Sequence, residues 1–413
     1  MLTSALTFLI LVEFGVQVFA TLLNRKSLCP DLPQEFQGVY DTKKYKTSIQ
    51  YQLEKSKLSL FQRSVSTALL LLLIWGRGFE KIDHFAWSFG WGSIGTGLAF
   101  AGTYALIRLA VGLPFSIYDT FSVEQRYGFN KTSLKTFAGD LIKVLVLGSI
   151  LGGLAFAALI AFFEKTGDFA WVYSWIALTL FQIFLLFVAP VVILPLFNKF
   201  KPITDGPLKS AVESYAKQEN FSLQGVFTMD ASKRSTKSNA FFTGFGKFRR
   251  LVLFDTLMEK QTVSELMAVV AHEVGHFKRQ HIPKGIALSI VSSGILLYLL
   301  SVLLNQSPLF AAFRMTTPSV YASIILIMVL YTPISTFVSI LTNFLSRHFE
   351  FEADEFSIET YHKPEELISA LKKLSTESFS HLTPHPLRVL LDYSHPPILQ
   401  RIRFIEQLKA KRV

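Results

Sequence analysis

Two histidines four residues apart flank a glutamate in Ala271-His272-Glu273-Val274-Gly275-His276. On a helix, positions i and i+4 share one face, one turn apart. Two imidazoles so placed can bind one zinc ion, and the neighbouring Glu273 can take a proton from a water on that ion. Coincidence is the competing explanation. A catalytic zinc takes three protein ligands and keeps one position open. The stretch Arg347-His348-Phe349-Glu350-Phe351-Glu352-Ala353-Asp354-Glu355 is the obvious source of the third. If it is helical, Glu350 and Asp354 share a face, so Glu350 can ligate while Asp354 orients a ligating histidine from behind. Spacing alone leaves His348, Glu352 and Glu355 open as ligands, and leaves open a solvated acidic helix end. A third cluster is Tyr393-Ser394-His395-Pro396-Pro397 with Arg401. A histidine and an arginine beside a hydrolytic zinc could stabilise an anionic tetrahedral intermediate. From spacing alone, a turn before a basic C-terminal helix accounts for them better.

These residues need elements to hold them. Thr262 and Glu265 form a capping-box pattern that opens a helix through Met267, Val270 and His276. Pro283 is expected to end or kink it. Pro207–Lys217 reads as an amphipathic helix and Gly225–Met229 as a strand. Asn239–Thr243 and Leu251–Phe254 read as strands joined in a hairpin around Gly244, Gly246 and Lys247. That glycine-rich turn lacks a full phosphate-loop pattern.

The rest of the chain is written for a bilayer. Of 413 residues, 50% are hydrophobic and only 17% charged, against about 25% charged in a soluble domain. This composition excludes a disordered chain, a coiled coil and a disulfide-stapled scaffold. The single cysteine, Cys29, excludes an internal disulfide and a cysteine-type zinc site. Uncharged or nearly uncharged runs long enough to span lie at Leu2–Leu23, Phe85–Ile107, Val144–Phe163, Phe169–Phe197, Gly285–Leu304 and Val320–Leu345. A seventh, Val65–Gly76, is short and spans only if Arg63 and Arg77 snorkel. The first run lacks a basic leader and a cleavage site, so it is expected to stay as a span. Span seven is expected to run unbroken through Arg347, Glu350 and Asp354.

Lysines and arginines between the spans number 8, 2, 3, 1, 14, 1 and 10 in chain order. This alternation is the positive-inside pattern of a seven-span protein. It puts the N-terminus outside, and 198–284 and the tail in the cytoplasm. It also explains the net charge of +11 without nucleic acid. The expected organisation is spans one to five with their loops in 1–197, a zinc-protease segment in 198–284, spans six and seven in 285–345, and a C-terminal segment completing the site in 346–413. Glu13 and Arg108 sit in apolar runs and are expected to face protein or a wet cavity. His84, His281, His362, His381 and His385 are expected at the surface or in loops.

The sequence resembles the type 1 CAAX prenyl proteases, seven-span zinc metalloproteases of the endoplasmic reticulum with bacterial relatives. The resemblance covers nearly the whole chain. It rests on Pro114-Phe115-Ser116-Ile117-Tyr118-Asp119-Thr120-Phe121, Glu124 and Tyr127-Gly128-Phe129-Asn130, then on Pro195-Leu196-Phe197-Asn198-Lys199-Phe200. It continues through Arg234-Ser235, Ser238-Asn239-Ala240 and Val252-Leu253-Phe254-Asp255-Thr256-Leu257. It closes on the zinc motif, Ser346-Arg347, Phe349-Glu350-Phe351 with Ala353-Asp354, and Tyr393-Ser394-His395-Pro396-Pro397.

The resemblance implies that Glu350 is the third ligand of a single Zn2+ held with His272 and His276. It implies that Asp354 supports a ligand histidine and that His395 and Arg401 stand near the active centre. Asn239, Ala240 and Phe241 match the edge strand that holds a peptide by strand addition. The implied fold is predominantly α and integral to the membrane. Seven transmembrane helices ring a large chamber closed by a small α+β zincin-like metalloprotease domain. His348 and Glu352 depart from the family pattern. The chain is shorter than eukaryotic members, which favours a bacterial inner membrane over the endoplasmic reticulum. Most bacteria do not prenylate proteins, so the resemblance implies a peptide substrate with or without the lipid.

The expected function is hydrolysis of CAAX-type C-terminal peptides, with or without a prenyl group, in the bilayer and with Glu273 as general base. A quality-control protease of unmodified membrane proteins is one alternative. A transporter or channel with structural zinc is another, opposed by the glutamate between the histidines.

Overall fold

The computed structural model describes residues 1–244 and 249–411. Gly246 and Lys247 of the expected hairpin turn lie outside the described residues. Among the described residues, seven helices are long and apolar enough to cross a membrane: Leu2–Lys26, Thr42–Trp75, Gly92–Glu124, Leu134–Lys165, Gly167–Phe197, His281–Leu303 and Val320–Tyr361.

The short second run is resolved by its helix. Val65–Gly76 is the apolar end of a 34-residue helix capped by Asp41, whose side chain accepts from Lys44 N. The polar first half buries Tyr45, Ser48 and Tyr51. Arg63 does not need to snorkel, because its Nη1 lies 3.2 Å from Glu13 Oε1 on span one. Span three begins at Gly92 rather than Phe85. Phe85 belongs to a separate helix, Gly78–Trp87, and Gly90 and Gly92, both at positive φ, turn the chain before the span starts. Spans one, two, three and seven enclose a cavity of about 670 Å³ lined by Glu13, Arg63, Tyr104 and Arg108. Both intramembrane charges thus face a cavity.

Beyond span five the chain builds a four-stranded sheet: β1 (Phe200–Pro202), β2 (Gly225–Met229), β3 (Ala240–Thr243) and β4 (Arg250–Phe254), in the order β1-β2-β4-β3. β2 and β4 are parallel; the outer pairs are antiparallel. β3 is therefore an edge strand. Phe254 N donates to Asn239 O. Ladder alternation then turns the backbone of Ala240 and Phe242 away from β4. Helix Pro207–Gln218 and the zinc-motif helix Val263–Lys278 cover the sheet, burying Val212, Leu251, Leu253, Met267 and Val270.

The capping box forms as expected: Glu265 N donates to Thr262 Oγ1, and Thr262 N to Glu265 Oε2. The helix stops at Lys278, before Pro283. Gln280 takes a left-handed φ of 58° and starts span six at His281. Pro283 falls in the first turn of the new helix, where a missing N–H leaves no bond unmade. The span-seven helix runs 42 residues without a break. Its first turns are buried at Val320–Ile327, and it is buried again at Glu350, Ala353, Asp354 and Ile358. One rigid element thus carries a donor from the membrane into the protease domain.

Motif residues upstream fasten the two parts together. Arg234 grips Asp140 at 2.8 and 3.0 Å and donates to Phe197 O and Asn198 Oδ1. Lys237 Nζ meets Glu124 Oε2 at 2.9 Å and Tyr51 Oη at 3.0 Å.

Candidate active site

The helix Val263–Lys278 and the span-seven helix cross closely because Gly275 lacks a side chain. A Cβ there would lie 3.1 Å from Ala353 Cα and Ala353 O. This approach brings His272, His276 and Glu350 together. The two Nε2 atoms are 3.1 Å apart; His276 Nε2 is 3.3 Å from Glu350 Oε1, and His272 Nε2 is 3.6 Å from Glu350 Oε2. Ligands at about 2.0–2.1 Å in a tetrahedron sit roughly 3.3 Å from one another. Among the described residues, these three form the group whose donors lie close enough to share an ion. His348 is exposed and meets Glu352 at 3.4 Å.

The surrounding hydrogen bonds test the fit. Asp354 Oδ1 lies 2.9 Å from His272 Nδ1. Arg401 holds Asp354 through Nε at 2.8 Å and Nη2 at 2.6 Å, so the carboxylate can only accept from the imidazole. His272 then carries its proton on Nδ1 and turns a lone pair toward His276. Glu350 Oε2 is buried and accepts no hydrogen bond; Arg401 Nη1 approaches it at 3.1 Å outside bonding geometry. Three acceptors converge with nothing between them to donate, an arrangement that fits a cation. A proton would answer the same demand. Burial opposes charge on His272, but its contacts with Asp354 and Glu350 prevail and hold it up at about 9.

Glu273 lines two cavities that also share His276. One, of about 820 Å³, also takes in Asn239, Ala240, His395 and Arg401. The other, of about 810 Å³, is walled mainly by apolar groups such as Phe241, Phe242, Phe277, Leu288 and Phe349. Burial raises the Glu273 carboxyl above its ordinary value, with Glu350 adding to the rise and His272, His276 and Arg401 opposing it. A base pitched upward suits proton transfer near neutral pH. His395 Nε2 lies 3.2 Å from Glu350 Oε1 with its side chain exposed, so a substrate can meet it. Arg401 is buried. Asn239 stands one residue before β3, and its Oδ1 accepts from Ala240 N at 2.9 Å. Every predicted site residue therefore falls at or beside these two cavities.

Other residues were not predicted. His281, expected at the surface or in a loop, is buried at the first residue of span six: its Nδ1 lies 2.9 Å from His276 Nδ1, and its Nε2 lies 2.7 Å from Glu352 Oε2. The signal was a histidine five residues after the zinc motif. His381 lies in a loop, as expected, but is buried there, bonding Asn24 O and lining the cavity that takes in His395. His385 caps the helix Pro386–Asp392 by accepting from Leu387 N. His84 and His362 are exposed, as expected. Arg347 donates to Val389 O and Tyr393 O, tying the loop before His395 to span seven.

A seven-span helical frame with a helix-borne His-x-x-x-His pair, a glutamate beside it and a third carboxylate from another helix defines an integral membrane metalloendopeptidase. Residues 23–199 match the family model for the CAAX prenyl protease N-terminal region with five membrane helices, and residues 202–409 match that of peptidase family M48. The chain is 32% identical to a CAAX prenyl protease 1 homolog of Oryza sativa subsp. japonica, covering 100% of this chain and 98% of the relative. It is 31% identical to the human CAAX prenyl protease 1 homolog over 92% of this chain and 89% of the relative. The crystal structure of S. mikatae Ste24p superposes with a TM-score of 0.93 at 28% identity, covering 98% of this chain and 99% of that one.

The chain belongs to the type 1 CAAX prenyl protease family, within peptidase family M48. It matches the rice relative over nearly its full length, so length does not set it apart from eukaryotic members.

Proposed function

We propose that the protein is a zinc endopeptidase that cuts CAAX-type C-terminal peptides, with His272, His276 and Glu350 holding one Zn2+. The supporting observation is the junction of the polar and apolar cavities at Glu273 and His276, beside the free edge of β3. An extended peptide pairing with the outward backbone of Phe242 and the carbonyl of Ala240, whose N–H is taken by Asn239 Oδ1, would pass the metal site. The apolar cavity would take the aliphatic or prenylated part of such a peptide.

Zinc, when bound, would lower the pKa of a water toward neutrality and polarise the scissile carbonyl. Glu273 takes the proton of the attacking water and delivers it to the leaving amine. His395, exposed beside Glu350, donates to the oxyanion as it forms. Arg401 is a positioning residue in this scheme: it fixes Asp354, which fixes the tautomer of His272. The charge alternation along the chain supports a cytoplasmic position for this machinery.

The test is cleavage of matched farnesylated and unfarnesylated CAAX peptides by purified enzyme, with Glu273→Gln as control. Faster cleavage of the lipidated peptide by the parent alone supports the prenyl-protease assignment. Equal cleavage of both would move the substrate class to unmodified membrane proteins.

A further inference from the structure

His276 and His272 face the same centre, yet their outer nitrogens are held differently. His272 Nδ1 meets a carboxylate directly, at Asp354. His276 Nδ1 meets an imidazole, His281, and only then a carboxylate, Glu352. Hydrogen-bond roles along this line follow from its outer end. The Glu352 carboxylate can only accept, so His281 carries its proton on Nε2. His281 Nδ1 is then a lone pair and can only accept from His276 Nδ1–H. His276 is left with its lone pair on Nε2, the atom that faces His272 and Glu350.

The line is held in place on several sides. The Phe349 ring stacks on His281 with centroids 4.2 Å apart and planes at 10°. Lys284 Nζ lies 5.3 Å from the Phe349 centroid. His348, one turn before Glu352, approaches its other oxygen at 3.4 Å. The line also joins three elements. His276 comes from the zinc-motif helix, His281 from the first residue of span six, and Glu352 from span seven. The left-handed turn at Gln280 aims His281 back at His276.

We infer that His281 and Glu352 are positioning residues that fix the tautomer and ring orientation of His276 for metal binding, through a carboxylate–imidazole–imidazole relay. This inference rests on the zinc site proposed above. It assigns His276 a support distinct from the Asp354–Arg401 pair behind His272.

The experiment measures zinc affinity of the full-length protein in detergent by competition with a chromophoric chelator. The variants are His276→Ala, His281→Phe, Glu352→Ala and Glu352→Gln, and each metal-free form is melted in parallel. His281→Phe keeps a flat ring for Phe349 to stack on but cannot accept from His276. It is expected to weaken zinc binding by about 10- to 100-fold, the range typical of lost outer partners, with an unchanged metal-free melt. Glu352→Ala should weaken it in the same direction. Glu352→Gln should restore it to within a few-fold, because the amide oxygen accepts the same bond.

Parental zinc affinity in both His281→Phe and Glu352→Ala overturns the inference while the site stands, provided His276→Ala loses zinc. Zinc retained by His276→Ala overturns the site itself. If His281→Phe does not fold, the two Glu352 variants decide: loss in Glu352→Ala with recovery in Glu352→Gln supports the relay, and equal loss in both overturns it.

Discussion

Arg401 closes two bonds on Asp354, from Nε at 2.8 Å and Nη2 at 2.6 Å, while its remaining nitrogen, Nη1, stands 3.1 Å from Glu350. One guanidinium therefore ties the carboxylate that supports His272 to the carboxylate that converges on the proposed metal site. Asp354 is fully buried and Glu350 nearly so. Removing the arginine would leave two buried carboxylates without their guanidinium, with only histidines beside them. Breaking a buried pair from one side costs about 3–5 kcal/mol. Arg401→Ala should lower the melting temperature and the zinc content together. Arg401→Lys, a point charge without the planar fork, should recover only part of either. Parental melting of Arg401→Ala would refute this account.

Glu273 and Glu350 should separate cleanly by variant. Glu273→Gln keeps the three converging donors and should hold stoichiometric zinc while losing turnover by at least about 10²–10⁴-fold. Glu350→Ala removes a donor and should lose the metal. His395→Ala should keep zinc and lose about 10²-fold in kcat, the usual cost of one oxyanion donor. Metal analysis beside single-turnover kinetics distinguishes the three. Stoichiometric zinc in Glu350→Ala would move the third ligand elsewhere.

Much of this site was legible because its chemistry is local or periodic. The i, i+4 spacing of His272 and His276, the capping box at Thr262 and the shared face of Glu350 and Asp354 are helix geometry written in residue types. The spans were legible from apolar length, although span two hid half of its helix in polar residues that pack on the protease domain. His281 was not legible. Its burial depends on a left-handed residue at Gln280, where neither glycine nor asparagine announces the turn. Pro283 pointed to a helix end and proved to be a first-turn proline instead. The role of Arg347 was hidden because its partners are backbone carbonyls 42 and 46 residues away.

Gly275 is where the two helices that carry the proposed ligands touch. A methyl group there would press on the backbone of Ala353 and on Phe356 Cβ, each at 3.1 Å. Backbone cannot rotate away as a side chain can. Gly275→Ala should push span seven outward, move Glu350 off the histidines and weaken zinc binding. Overpacking of this kind costs about 1–3 kcal/mol. Gly285→Ala, with open space around the added carbon, is the control. Equal zinc affinity in the two variants would show that the contact relaxes without consequence.

The free edge of β3 offers a test of substrate pairing. Phe242 turns its backbone N–H away from β4, so proline at that position removes a donor to the substrate and no bond of the sheet. Phe242→Pro should raise KM for extended peptides by about 2- to 10-fold, the worth of one hydrogen bond. Its melting temperature should fall as well, because the Phe242 ring packs edge-on against Phe221 with centroids 5.3 Å apart, so KM is read at a temperature where both proteins are folded. Unchanged KM would mean that the peptide does not lie along this edge.

Glu265 couples the start of the zinc-motif helix to pH. The side chain is buried and accepts from Thr262 N at 2.7 Å, Ser369 Oγ at 2.5 Å and Lys373 Nζ at 2.7 Å. Burial alone would raise the carboxyl, but the bonds from Lys373, Ser369 and Thr262 outweigh it and hold it below its ordinary value of 4.5. A folded-state value below the unfolded one stabilises the fold fully above about pH 4.5, and this is lost as pH falls through the folded value. Lys373 leads the groups that lower it, and because Lys373 is about a third exposed, solvent screens part of its contribution. Glu265→Gln should melt below the parent at pH 7 by an amount corresponding to about 1–3 kcal/mol. The gap should close as melts are repeated from pH 5 down to pH 3. A gap constant across that range would mean that Glu265 acts through shape rather than charge.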